Sequence, residues 1–386
     1  MNLKSGLLLL VIYLAFISLG LPDSLLGPAW PTMYVDLRVP VHFAGIISMI
    51  IAGGTVVSSL LSARLISRYG VAAITTSSVL ITALALLGFS VSQHFVYLCL
   101  LAVPLGLGAG CVDAALNNYV ALHYRARHMN WLHSFWGVGA ATGPMIMAAQ
   151  LSAGAGWASG YRTVGWIQIA LFLVLLASLP LWIPNATEGD GPNRGRRRSF
   201  YELLKIRGVK QALIIFFCYC TVEATFGLWG ASFLVFARDV EPEDAARLVS
   251  VYFVGITAGR FISGFVSERV GNKQLVYIGE GLIAAGLLVL LLPVKTLFLP
   301  GFLLVGLGCA PIFPSLLHET PRNFGEQHSQ AIMGLQMASA YIGITVMPLL
   351  FGKLASHTGY AVLPAFMGVV LAVKIVMTWH LNRKVT

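Results

Sequence analysis

Apolar runs of about 20 residues, long enough to cross a bilayer as helices at about 1.5 Å rise per residue, recur along this chain between short polar turns. Counting them predicts twelve spanning helices. In the first half they cover 6–34, 42–65, 71–92, 95–122, 130–153 and 163–184. In the second half they cover 211–237, 246–267, 273–294, 297–319, 329–354 and 360–382. The runs are continuous rather than alternating ten-residue segments, which predicts helices and not a β-barrel. The N-terminal run lacks a following small-residue cleavage site, so it reads as the first span and not a signal peptide.

One polar interval stands out. From Asn185 to Lys210 the chain reads NATEGDGPNRGRRRSFYELLKIRGVK, basic and rich in turn formers. This linker divides a first unit, 1–184, from a second, 211–386, with 185–210 between them. Arg196, Arg197 and Arg198 have the character of an anionic-lipid contact, although a basic cytoplasmic loop explains them equally well. Lysine and arginine concentrate in the loops on the side of Lys4, the linker and Arg383, while ARDVEPEDAAR after the seventh run is acidic. The positive-inside rule then places both termini and the linker in the cytoplasm.

The two units repeat each other. A shift of 200 residues lays GLPDSLLGPAW over TVEATFGLWGA, pairing Asp23 with Glu223 and Gly27 with Gly227. The same shift pairs Gly106-Leu107-Gly108 with Gly306-Leu307-Gly308, and Asp113 with Phe313. A shift of 201 pairs Arg68-Tyr69-Gly70 with Arg269-Val270-Gly271, and a shift of 204 pairs Gly139 with Gly343 and Pro144 with Pro348. Six spans, a basic linker and six equivalent spans are the layout of a two-domain secondary transporter.

Composition agrees. Of 386 residues 57% are hydrophobic and 10% charged, with mean hydropathy +0.81, whereas a soluble domain carries about 25% charged residues. The net charge of +10 lies in inter-span loops and does not point to nucleic acid. The five cysteines, Cys99, Cys111, Cys218, Cys220 and Cys309, lie in apolar runs without disulfide or zinc spacing and read as small apolar fillers. No nucleotide loop, metal cluster or nucleophile–base arrangement is present in the sequence, so an enzyme is not expected and neither is a cofactor.

Against this background the segment from Gly106 to Pro144 is distinctive. It places Asp113 inside one apolar run, Asn117 one turn further on the same helix face, and His133 early in the next run. A carboxylic acid at bilayer depth costs a few kcal/mol on insertion scales, and such residues usually face a bundle interior or a wet cavity. A transport pathway is the leading reading, with a polar contact between two helices as the plainer one.

ARLISRYG after the second run and GFVSERVG after the eighth resemble the cytoplasmic Gly-x-x-x-Asp-Arg-x-Gly motif of the major facilitator superfamily. The second copy keeps Gly264, Glu268, Arg269 and Gly271; the first has Arg68 but Ala63 for the glycine and Ser67 for the acid. The resemblance implies an all-α membrane protein, twelve transmembrane helices in two pseudo-symmetric six-helix bundles around a central cavity. It also implies a gating role for Arg68, Gly264, Glu268 and Arg269, acid and arginine pairing at the cytoplasmic rim. VDAALNNYV, PDSLLGP and NWLHSFWGVGA further resemble the fourth-, first- and fifth-span segments of fucose permease and its sugar:proton symporter relatives. There His133 replaces a glutamine; Asp113 is one methylene shorter than the family's Glu, and the family's asparagine-rich turn before the first Asp is here Leu19-Gly20-Leu21-Pro22, so fucose itself is not implied.

On those resemblances Asp23, Asp113 and Glu223 are the candidates for proton coupling. Withdrawal from water penalises an ionised carboxyl, which suits such a group to carrying a proton, singly or as an interacting pair. Asn117, His133, Trp136, Trp229 and Glu223 are the candidate substrate contacts, the tryptophans as platforms for a sugar's apolar face. For Asn117 and Glu223 a structural hydrogen bond stands beside that reading, and for the tryptophans, Trp30 included, an interfacial position does. Arg260 and Glu280 flank the turn between spans eight and nine at matching distances, which predicts a structural ion pair; Lys374 is expected to snorkel to the cytoplasm. The function expected is proton-coupled uptake of a small polar solute, foremost a monosaccharide, by a monomer in a bacterial cytoplasmic (inner) membrane, with no cofactor beyond the proton gradient. A proton/drug antiporter is the nearest alternative, because GAATGP at Gly139–Pro144 resembles the start of the span-five antiporter motif. A lipid flippase or transporter-like receptor is the third.

Overall fold

The computed structural model describes residues 3–123, 126–182 and 200–385. Most of the predicted linker, with Arg196, Arg197 and Arg198, lies outside the described residues, as do the side chains of Ala63, Ser67 and Glu268. The helices are α1 Leu3–Asp23, α2 Leu26–Asp36, α3 Ala44–Val91, α4 Phe95–His123, α5 Ala126–Ser152, α6 Gly156–Ser178, α7 Phe200–Leu204, α8 Val209–Arg238, α9 Pro242–Val270, α10 Asn272–Leu291, α11 Phe298–Cys309, α12 Ile312–Phe324, α13 Glu326–Thr358 and α14 Leu363–Val385. Twelve crossings result among the described residues: α1 with α2 forms the first, α3 the second and third, and α11 with α12 the tenth. Eleven of these crossings are long and apolar enough to span a membrane on those criteria alone. The remaining one is α5, whose first turns carry Arg127, His128, Asn130 and His133.

The long α3 reverses direction at Gly70, where φ is +80° and ψ 158°. Its repeat partner Gly271 has φ +83° and separates α9 from α10 in the same manner. Only glycine takes this conformation without a Cβ penalty, so both copies of the turn keep it. The sixth crossing begins at Gly156, earlier than the expected 163: the turn after α5 is only a few residues long, and α6 takes up the polar stretch around Ser159 and Arg162.

Within the first half, α3 packs on α4 and α6, and α1 on α5 and α6; within the second, α8 packs on α13 and α14, and α11 on α9 and α10. Small residues set these distances. Gly106 abuts the Ile51 carbonyl and Gly306 the Tyr252 carbonyl; likewise Gly139 abuts that of Ile17 and Gly343 that of Phe217. Each repeat-paired glycine meets a repeat-paired carbonyl, at positions where a Cβ would collide with backbone. The internal repeat is therefore a repeat of helix crossings.

The halves meet through α5 with α9, α2 with α8 and α9, and α13 with α3. The contacts lie toward the face opposite the chain termini. Arg247 near the start of α9 reaches Ser152 at the end of α5, at 3.0 Å. Ser250 Oγ donates to the Ala141 carbonyl at 2.7 Å. Gly137 lies against the Thr257 side chain, and Gly45 against Leu349. One turn beyond Arg260, a Cβ on Gly264 would meet nothing within 4 Å among the described residues, and Phe265 is 79% exposed. The bundles thus close on one face and part on the face that carries the termini.

Candidate functional site

Asp23 sits where the first crossing is broken. Pro22 has no N–H, so the Ser18 carbonyl four residues earlier loses its helical donor. The Gln168 side chain of α6, fully buried, donates Nε2–H to that carbonyl instead. Irregular backbone at membrane depth is tolerated where neighbouring groups satisfy it. The repeat counterpart of this break, around Glu223, lies inside the continuous α8; in the second half it is the tenth crossing that is broken, α11 ending at Cys309, whose carbonyl accepts from Tyr219 Oη at 3.0 Å.

The Asp23 carboxylate accepts a hydrogen bond on Oδ2 from Trp136 Nε1 of α5 at 2.9 Å, and the residue is exposed to the space between the bundles. Trp136 faces the second bundle. Phe253 of α9 meets it edge-on at 6.4 Å between ring centroids, and the Arg260 guanidinium lies 5.2 Å from its ring centre. Arg260 Nη2 in turn is 3.4 Å from Glu223 Oε1 of α8, with side-chain exposures of 15% and 21%. A line of four side chains, Asp23, Trp136, Arg260 and Glu223, therefore crosses the inter-bundle boundary.

Asp113 of α4 lies within electrostatic reach of Asp23. Asn117 donates Nδ2–H to Asp113 Oδ1 at 2.9 Å, leaving its own Oδ1 buried with no partner among the described residues. Tyr341 of α13 stands beside Ser59 and close to Asp113. His133 packs edge-on against Phe16 at 5.8 Å and feels the Arg260 charge. Asp23, Asp113, Asn117, His133, Trp136 and Glu223 are thus gathered around one region between the bundles, and Arg260 joins them.

Three expectations are corrected. Arg260 does not pair with Glu280. Glu280 Oε1 instead accepts from Lys374 Nζ of α14 at 2.5 Å and from Thr378 Oγ1 at 2.8 Å. Distance from the turn set equal depth for Arg260 and Glu280, but depth does not fix which way a helix face points: Arg260 faces the inter-bundle space and Glu280 faces α14. Lys374 does not snorkel, being fully buried in that pair. Trp229 is no platform either: it is fully buried, donates Nε1–H to the Pro348 carbonyl at 2.8 Å, and packs on Phe351 and Tyr360. Trp30 is likewise buried, donating to the Val41 carbonyl at 2.5 Å.

At the terminus-side rim Arg68, Gly264 and Arg269 are exposed. Gly139 and Gly143 of GAATGP lie against Ile17, Leu21 and Ser24 of the first crossing, so close helix packing accounts for that motif without a direction of transport. Among the described residues no group of histidine, cysteine or carboxylate side chains is suited to a metal. Arg260 and Gln168 were missed as parts of the site. The available signals were an arginine inside an apolar run and a proline whose freed carbonyl needed a donor.

Known proteins place this architecture. A glucose/mannose transporter, GlcP, of Bacillus subtilis (strain 168) is 26% identical over 303 residues, covering 76% of this chain and 74% of its own. The crystal structure of a mutant form of the nucleoside transporter NupG superposes with a TM-score of 0.76 at 14% identity, covering all of both chains. A bacterial homolog to the human lysosomal transporter Spinster, in an inward-facing and occupied conformation, gives 0.72 at 13% identity, over 100% of this chain and 98% of that one. The pattern of the Major Facilitator Superfamily matches residues 12–241 and again 212–385. With both halves matched and the fold shared end to end, the chain belongs to the Major Facilitator Superfamily and is a transporter, not an enzyme.

Proposed function

We propose that the protein takes up a small polar solute, foremost a monosaccharide, together with protons by alternating access. The observation that carries this reading is the gathering of Asp23 and Asp113 from one bundle with Arg260 and Glu223 from the other, around an aromatic face supplied by Trp136. Acids at this depth exchange protons with a wet chamber. An indole face suits the apolar side of a pyranose, and Asn117, with one free buried acceptor, suits its hydroxyls. The named substrate of the Bacillus relative points the same way. With the termini in the cytoplasm of a bacterial inner membrane, the described state is open to the inside, and the monomer suffices.

The test is uptake in proteoliposomes of a panel of labelled monosaccharides and cationic dyes, with and without an inward proton gradient. One sugar accumulating only with the gradient is expected. The Asp23→Asn, Asp113→Asn double variant is expected to abolish accumulation while retaining sugar counterflow. Gradient-driven accumulation in the double variant, or proton exchange for dyes with no sugar flux, overturns the reading.

A further inference from the structure

We propose that Trp136 and Arg260 form a cross-bundle latch that is set by ionisation of Asp23. The contacts between α5 and α9 run from Ser152–Arg247 through Ala141–Ser250 and Gly137–Thr257 and end at Trp136–Arg260. One turn further on, a Cβ on Gly264 would meet nothing within 4 Å among the described residues. Among the described residues the latch is therefore the last contact of this seam toward the terminus-bearing face.

Its chemistry links it to the acid. An indole N–H bond to an ionised carboxylate is charge-assisted and stronger than one to a neutral acid. Donating to an anion pushes electron density onto the indole ring, which strengthens attraction for a cation on its face. The Asp23 carboxylate holds the N–H of the same indole that carries the Arg260 guanidinium. When Asp23 gains a proton from the chamber water, both interactions weaken together, and Arg260 is left with a single 3.4 Å contact to Glu223. Ionised Asp23 and a closed α5–α9 seam thus favour each other, and by reciprocity the closed seam favours loss of the Asp23 proton toward the open, terminus-bearing face.

Other groups face this cluster: Asp113 from α4, His133 from α5, Glu223, Tyr219 and Cys220 from α8, Tyr252 from α9, Cys309 from α11, and Tyr341 from α13. Asp23 is the acid that bonds the latch directly, which makes Trp136 and Arg260 positioning residues rather than substrate contacts in this role.

The experiment needs no substrate, so its failure is separate from failure of the sugar reading. Spin labels are placed at Tyr69→Cys and Phe265→Cys, exposed positions on the terminus-bearing face of each bundle, in the full chain with its native cysteines replaced, in nanodiscs. Interspin distances are compared at acidic and alkaline pH. Long distances are expected to dominate at alkaline pH, with the short-distance population rising about threefold or more on acidification, a shift of roughly 0.7 kcal/mol. Trp136→Phe keeps the ring but removes the N–H and is expected to abolish the pH response. Asp23→Asn is expected to fix the acidic distribution, Arg260→Gln to abolish the response, and Arg260→Lys, still a cation, to restore it. A pH response that survives in Trp136→Phe, Asp23→Asn or Arg260→Gln overturns the proposal, as does a pH-independent distribution in the parent. Because three substitutions of different chemistry report on one contact, a variant that fails to fold leaves the others decisive.

Discussion

Gly27 and Gly227, equivalent positions in the two repeats, lie against one another, and a Cβ on Gly27 would stand 2.5 Å from the Gly227 carbonyl oxygen. In a twofold arrangement a residue meets its own counterpart only on the axis. The pseudo-twofold axis of this transporter therefore passes between α2 and α8, on the closed side of the molecule and one turn from Asp23. The acid lies beside the line about which the bundles are related.

A side chain at Gly27 is expected to wedge α2 away from α8. Gly27→Val should lower initial uptake rates by about tenfold or more, because a backbone-to-backbone approach leaves no soft neighbour to yield. Gly53→Ala, whose added Cβ meets nothing within 4 Å, should leave uptake near the parent value. Equal rates in Gly27→Val and the parent, at equal amounts in the membrane, would show that the α2–α8 contact is not needed in the cycle.

The Glu280–Lys374 pair is buried in the second bundle, its side chains 3% and 0% exposed. Removing one member of a buried pair strands the other, at a cost of roughly 3–5 kcal/mol, whereas replacing both with apolar groups is often neutral. Lys374→Met is therefore expected to lower the midpoint of thermal unfolding in detergent sharply, and Lys374→Met with Glu280→Leu to recover most of it. Affinity for the transported solute should be unchanged in the double variant. A comparable loss from Arg260→Met that Glu280→Leu rescues would reinstate the pairing excluded above.

The fold was legible because hydropathy sets the number of crossings and close backbone approach demands glycine at fixed points, so Gly106/Gly306 and Gly139/Gly343 marked the same crossings in both halves. Rotation about the helix axis was not. Arg260 and Glu280 lie at similar distances along the chain from the turn between them but face different neighbours, and Trp229, in a segment equivalent to that around Asp23, turns into its own bundle rather than toward the chamber. One residue is about 100° of helix rotation, which a hydropathy pattern apolar on every face cannot resolve.

Trp136 and Trp229, alike as platforms on sequence grounds, should separate cleanly. Trp229→Phe loses one buried hydrogen bond, to the Pro348 carbonyl, and is expected to cost about 1–3 kcal/mol of stability, because that acceptor is stranded. The half-saturating solute concentration should stay within about twofold of the parent, since uniform binding is untouched. Trp136→Phe should behave in the opposite sense, with thermal stability near that of the parent and proton-driven uptake strongly reduced. Solute affinity lost in Trp229→Phe at unchanged stability would return that residue to the binding site.

Gln168 and Pro22 give the most discriminating case, because their effects on stability and on transport should diverge. The Ser18 carbonyl is left without its helical donor by Pro22 and is satisfied by Gln168. Gln168→Leu strands that carbonyl in the core, which should cost about 1–3 kcal/mol and lower the unfolding midpoint. Pro22→Ala supplies an N–H that can rejoin the helix ladder, so in the double variant Pro22→Ala, Gln168→Leu the carbonyl regains a donor and most of the stability should return. Transport should not. A continuous first helix would draw Asp23 out of the break and away from Trp136, so proton-driven accumulation should stay low in the double variant while the fold is restored. Strictly additive losses in stability would mean that Gln168 does not serve the Ser18 carbonyl. Restored stability together with restored accumulation would mean that the break at Asp23 is dispensable for coupling.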